Sequence, residues 1–135
     1  MKRSKRKRLP SIPSLKRKAD KALSKYVLAH AKSQWVYKCP VCQVRPIKVC
    51  AHLISRKRTI IRWNSSNVYP CCGPCNWQER YYPDISRAWF IQNWGVNRYL
   101  DLVKVSRNKF EPTRRYLEAL IRNYTARLLS LRNTP

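Results

Sequence analysis

The sequence predicts a small α+β domain: a short cysteine-rich centre with an N-terminal helix on one side and a C-terminal helical region on the other. Three observations carry that expectation. Apolar residues recur at three- and four-residue steps before residue 34 and again after residue 84. Between residues 35 and 83 this period vanishes, and cysteines, prolines and short β-branched runs replace it. Two Cys-x-x-Cys pairs lie within that central stretch. A length of 135 residues suits one domain with a modest core.

Residues 1–13 read as a basic flexible arm and linker, "KRSKRKR" followed by "LPSIPS" with its two prolines. Residues 14–34 read as a basic amphipathic helix with Ser14 as its N-cap. Its apolar stripe is Leu15, Ala19, Ala22, Leu23, Tyr26 and Val27, and Lys16, Arg17, Lys18, Lys21 and Lys25 fall mostly off it. His30 lies on or near the stripe and reads as a packing histidine. In residues 35–83 the candidate strands are "IKVCAHLI" and "RTIIRW". Over 84–135 the helical pattern resumes: Asp84 can cap "ISRAWFIQNW", and Gly95 can end it in a left-handed turn. Next comes "VNRYLDLVKV", with Val96, Tyr99, Leu100 and Val103 on one side. Pro112 suits the first turn of a last helix striped by Leu117, Leu120, Ile121, Tyr124, Leu128 and Leu131. That stripe reads as core, with a homodimer contact as its other use.

Thirty Lys and Arg oppose six Asp and Glu, a net charge of +24. Such self-repulsion calls for a polyanion, and a nucleic acid is the expected partner. No apolar run approaches the roughly 20 residues of a membrane span, and the N-terminus has no apolar signal segment. The expected location is therefore the cytoplasm. Two glycines cannot build a glycine-rich phosphate loop, and six scattered carboxylates argue against a carboxylate-lined two-metal centre.

In a reducing compartment six cysteines point to metal ligation or buried thiols rather than disulfides. "CPVC" sets Cys39 and Cys42 two residues apart, the spacing that lets a tight knuckle aim two thiolates at one ion, and "CGPC" repeats it with Cys72 and Cys75. These four predict a structural zinc site. A pairing of Cys71 with Cys75 is geometrically tolerable, but Cys72 with Cys75 reproduces the first knuckle. Cys50 and Cys71 then remain as small packing residues.

Two metal-bridged knuckles with a hairpin between them and a helix starting at the second form a treble clef, which sets His52 opposite Asn76. In the order "CPVC", "AHLISR", "RWNSSNVYPCC" and "CGPCNWQ", the sequence resembles the HNH, or ββα-metal, nucleases. It is most similar to the phage NinG (Rap) recombination proteins. Their motif runs cysteine pair, Gly-His, Ser-Arg, an Arg-aromatic-Asn stretch, then Cys-x-x-Cys-Asn. The likeness covers about residues 35 to 80 and continues more loosely toward the C-terminus, whereas residues 1–33 have no counterpart in the motif.

The resemblance implies a metal-dependent endonuclease that hydrolyses phosphodiesters in branched or structured DNA, such as Holliday junctions or flaps, inside a phage-infected bacterium. His52 matches the general base, Asn76 the residue that holds a catalytic Mg or Mn ion, and Asn67 the asparagine that orients the loop and the histidine. Arg56 matches the arginine that touches the scissile phosphate. Phosphates on adjoining duplex arms would be tracked by Lys2, Arg3, Lys5, Arg6, Lys7, Arg8, Lys16, Arg17 and Lys18, with Lys57 and Arg58 beside Arg56. One departure matters: many HNH enzymes carry an aspartate before the histidine and NinG usually glycine, whereas this chain has Ala51. The alternative is a zinc-stabilised DNA- or RNA-binding module without cleavage, in which Trp77, Tyr81 and Tyr82 stack on bases.

Overall fold

A computed structural model describes residues 7–133, so Lys2, Arg3, Lys5 and Arg6 lie outside the described residues. The first helix, α1 (Ile12–Ser33), begins earlier than the sequence suggests. The Ser11 side chain accepts from the Ser14 amide, and Pro13 sits in the first turn, where no amide hydrogen is needed. Ser14 is thus already helical. Leu15, Ala19 and Leu23 of the predicted stripe are buried, its Ala22, Tyr26 and Val27 are half-buried, and Ala31 is buried outside it; His30 is not a packing histidine but is exposed and stacks on Tyr26 with ring centroids 5.7 Å apart.

The centre holds two antiparallel strands, β1 (Val49–His52) and β2 (Val68–Cys71), in the register Val49 with Cys71 through His52 with Val68. The first lies inside the expected "IKVCAHLI". The second strand is not "RTIIRW", which instead forms the short helix α2 (Thr59–Arg62). Its β-branched residues favour a strand only where a ladder is available. Here Ile61 is buried, its carbonyl accepts from the Asn67 side chain, and the Thr59 hydroxyl donates to the Phe110 carbonyl, so tertiary contacts override the propensity. A 3₁₀ turn at Ser65–Asn67 leads into β2, where Pro70 is tolerated because each strand of this two-stranded sheet has one open edge. Helix α3 (Gly73–Gln78) follows at once.

Helix α4 (Pro83–Trp94) starts on its proline, so Asp84 lies within the first turn and pairs with Arg87 at 3.1 Å instead of capping. Gly95, at φ 90°, breaks α4 from α5 (Val96–Ser106), a backbone angle that suits glycine. Helix α5 buries Leu102 and Ser106, whereas Leu100 is largely exposed, so the burial face is rotated from the one expected. The last helix, α6 (Arg114–Arg132), is capped by Thr113, and Pro112 is buried just before it rather than inside it.

Helices α1 and α6 run in the same direction. Arg114 donates to the Pro10 carbonyl near both starts, and farther along Tyr124 meets Tyr26 at 5.7 Å with Arg127 over the Tyr26 ring. A parallel pair needs a long crossover, which the central elements supply. Leu15, Ala19, Leu23, Leu117 and Tyr124 make the main core, into which the centre inserts Trp63. The Tyr124 hydroxyl donates to the Trp63 carbonyl at 2.6 Å. The apolar stripe of α6 is therefore spent largely within the chain. A second core of Cys39, Ala51, Tyr69, Cys71 and Cys72 lies beneath the sheet. Among the described residues no helix is long and apolar enough to cross a membrane.

Candidate functional site

The two cysteine knuckles converge. In the first, the Gln43 amide donates to the Cys39 carbonyl at 2.8 Å, Gln43 takes φ 60°, and the Cys39 amide donates to the Arg45 carbonyl at 2.7 Å. Backbone amides of Arg45 and Val44 pull the Cys42 thiol down to about 6, which favours the thiolate that a metal requires. In the second knuckle Cys72 caps α3, its sulfur accepting from the Cys75 amide at 3.4 Å. The sulfur atoms of Cys39, Cys42, Cys72 and Cys75 all lie within 4.8 Å of one another, and Cys42 and Cys72 are 3.9 Å apart. Sulfurs about 2.3 Å from a tetrahedral zinc sit about 3.8 Å apart, so this set could hold such an ion. Cys71 is buried 3.8 Å from the Cys39 sulfur and outside the set. Cys50 is also outside it, and burial pushes its thiol up to about 12.

Next to this cluster a cleft of about 1050 Å³ opens between α1, β1 and α3. His52, at the end of β1, and Asn76, in the first turn of α3, both line it. His52 Nε2 lies 2.8 Å from the Arg62 backbone carbonyl. A carbonyl oxygen only accepts, so Nε2 carries the proton and the neutral ring keeps its lone pair on Nδ1. Burial holds the ring below the usual histidine range; the Arg62 carbonyl and the Asp20 charge oppose that shift, and the charges of Arg56 and Arg62 add to it.

Asp20 explains why the Arg62 carbonyl stays in place. Its carboxylate accepts from Arg62 Nε at 3.0 Å and Nη2 at 2.6 Å, and from Trp63 Nε1 at 2.9 Å. A residue of α1, in the part of the chain without a counterpart in the motif, thus anchors the segment that fixes the histidine. The sequence reading missed this role, although Asp20 is the one acidic residue among the many cations of α1.

Asn67 is fully buried. Its side chain accepts from the Ile54 amide at 2.8 Å and donates to the carbonyls of Ile54 at 3.0 Å and Ile61 at 3.3 Å. It ties together both ends of the loop that follows His52. These bonds hold the loop itself; the Asn67 side chain makes none to His52.

The cleft rim is cationic. Of the cations singled out in the sequence, Arg17, Arg56 and Lys57 belong to it, joined by Lys21, Lys48 and Arg80, which the sequence does not single out. Lys7, Arg8, Lys18 and Arg58 are exposed away from it, and Lys16 is half-buried. Glu79, also unforeseen, lines the cleft one turn after Asn76. Burial lifts its carboxyl to about 7, against the opposing pull of the Ser86 and Tyr69 hydroxyls.

No family model, curated protein or solved structure matches this chain.

A neutral imidazole with a free lone pair, an amide oxygen and six cationic side chains sharing one cleft make a site that can hold a phosphodiester and accept a proton beside it.

Proposed function

We propose that this chain is an HNH-type endonuclease with a zinc-bound treble-clef, ββα-metal core, similar to the NinG recombination proteins, and that it hydrolyses phosphodiesters in branched or structured DNA within a bacterial host. The observation that carries the proposal is the fixed tautomer of His52. Its Nε2 is occupied by the Arg62 carbonyl, which leaves Nδ1 as the base in a cleft shared with Asn76.

In this reading His52 Nδ1 takes the proton of the attacking water, and a ring held neutral at pH 7 is suited to that task. Arg56 and the neighbouring rim cations hold the phosphate, and Asn67 keeps the loop carrying Arg56 closed against β2. Asn76 would offer its amide oxygen to a Mg or Mn ion, which stabilises charge on the phosphate and the leaving oxygen when bound. Ala51 provides no second oxygen, and of the two carboxylates lining the cleft Asp20 is engaged by Arg62 and Trp63 and Glu79 by the Ser86 and Tyr69 hydroxyls, so water and DNA phosphate would complete the shell. Affinity would come mainly from the phosphate backbone and fall steeply with salt. Symmetric resolution of a four-way junction would bring two copies to one substrate.

That sparse ligand set also favours a second reading, a zinc-stabilised nucleic-acid-binding module that does not cut. The two separate in one assay with labelled four-way junction, flap, single-stranded and plain duplex DNA, with and without added Mg or Mn. Metal-dependent cleavage of the branched substrates supports the enzyme; salt-sensitive binding with no nick under any condition supports the module.

A further inference from the structure

Trp77, Tyr81 and Tyr82 are exposed by 61%, 63% and 61% within six residues of chain, at the end of α3 and the turn into α4. Three large aromatics left this open are unusual for a surface with no partner. Trp77 and Tyr81 pack with centroids 4.9 Å apart and their planes tilted by 51°, so they form one contiguous aromatic platform. The platform lies on the same segment that lines the cleft: Trp77 follows the cleft residue Asn76, and Tyr81 and Tyr82 fall between the cleft residues Arg80 and Pro83 in sequence.

We infer that Trp77 and Tyr81, with Tyr82 beside them, form a stacking subsite for the unpaired bases of a DNA strand whose phosphates lie in the cationic cleft. The charge of the cleft selects a polyanion, and the aromatic faces select its bases. A duplex offers its groove only base edges, whereas a strand with unpaired nucleotides offers whole faces to stack. The subsite therefore selects the single-stranded part of a branch or flap. This deepens the proposed function by giving its substrate class a physical basis, and it rests on that reading only for the choice of DNA.

The test is a binding titration of the full, zinc-loaded chain without added Mg or Mn, using dye-labelled oligothymidylate and a duplex of equal length at one salt concentration. Trp77→Ala and Tyr81→Ala should each weaken binding of the single strand by about tenfold and leave duplex binding within about twofold. Trp77→Phe should retain most of the affinity. Both side chains are exposed, so the melting temperature should be unchanged, and Tyr81→Ala alone suffices if the tryptophan variant misfolds. Equal weakening on both substrates, or no weakening on the single strand, overturns the inference. No hydrolysis occurs in this titration, so an absence of cleavage leaves the subsite standing, and loss of the strand preference leaves the nuclease reading standing.

Discussion

His52 donates through Nε2 to the backbone carbonyl of Arg62 at 2.8 Å, a contact that joins the end of β1 to the end of α2 across the cleft wall. The Arg62 side chain is held in turn by Asp20 of α1. The histidine is thus positioned through three segments: its own strand, the segment that ends in Trp63, and a helix outside the cysteine motif.

Asp20→Asn should destabilise the fold by about 2 kcal/mol, the scale of losing hydrogen bonds to a charged group, because Arg62 is left without its counterion. If the DNA-cleaving reading holds, the variant should also lose turnover more than apparent substrate affinity, since it loosens the carbonyl that holds His52. Denaturant unfolding with parallel single-turnover kinetics checks both; an unchanged midpoint would remove Asp20 from the account.

Asn67→Ala should destabilise by about 3 kcal/mol, since three hydrogen bonds at a fully buried site are lost and the backbone groups of Ile54 and Ile61 are left wanting partners. A urea midpoint close to wild type would show that the loop closes without this tether.

Zinc stoichiometry discriminates among the cysteines. Purified protein should carry one zinc, Cys72→Ala should lose it, and Cys71→Ala and Cys50→Ala should keep it. Complete chelation should unfold the central segment, because bound metal contributes on the order of 10 kcal/mol to small sites of this kind. Zinc retained in the Cys72 variant and lost in the Cys71 variant would transfer the ligand role to Cys71.

Glu79 gives a pH signature. Its folded carboxyl titrates near 7, above its ordinary value of 4.5, so between those values the folded state binds more protons than the unfolded one. Its contribution to stability is thus fully present below about 4.5 and lost as the pH rises through about 7. Glu79→Gln should therefore raise the melting temperature relative to wild type at pH 8 more than at pH 5. An equal difference at both values would contradict the burial of the carboxylate.

The four-cysteine cluster was legible because ligand spacing is local: two residues between cysteines define a knuckle whatever surrounds it. His52 and Asn76 were legible only through their order relative to those knuckles. "TIIRW" misled because β-branched content is a weak guide when Asn67 and Phe110 supply contacts from elsewhere in the chain and Trp63 is drawn into the core between α1 and α6. Strand β2 was hidden by Pro70, which reads as a breaker until the strand is known to have a free edge. Asp20 was invisible as a site residue because its partners lie 42 and 43 positions away. Its rarity among cations was the one available cue.

The most direct test of the central claim compares wild type with His52→Ala on a labelled four-way junction or flap in Mg or Mn, reading cleavage rate and binding together across pH. The account predicts cleavage by wild type with an acid limb below about 6.5, the ordinary histidine value, because burial keeps the ring neutral and a protonated ring cannot accept a proton. It predicts that the variant binds with unchanged affinity and cleaves at least about a hundredfold more slowly, the lower range for loss of a general base. Cleavage at the wild-type rate in the variant, or no metal-dependent cleavage by wild type on any structured substrate, would contradict it.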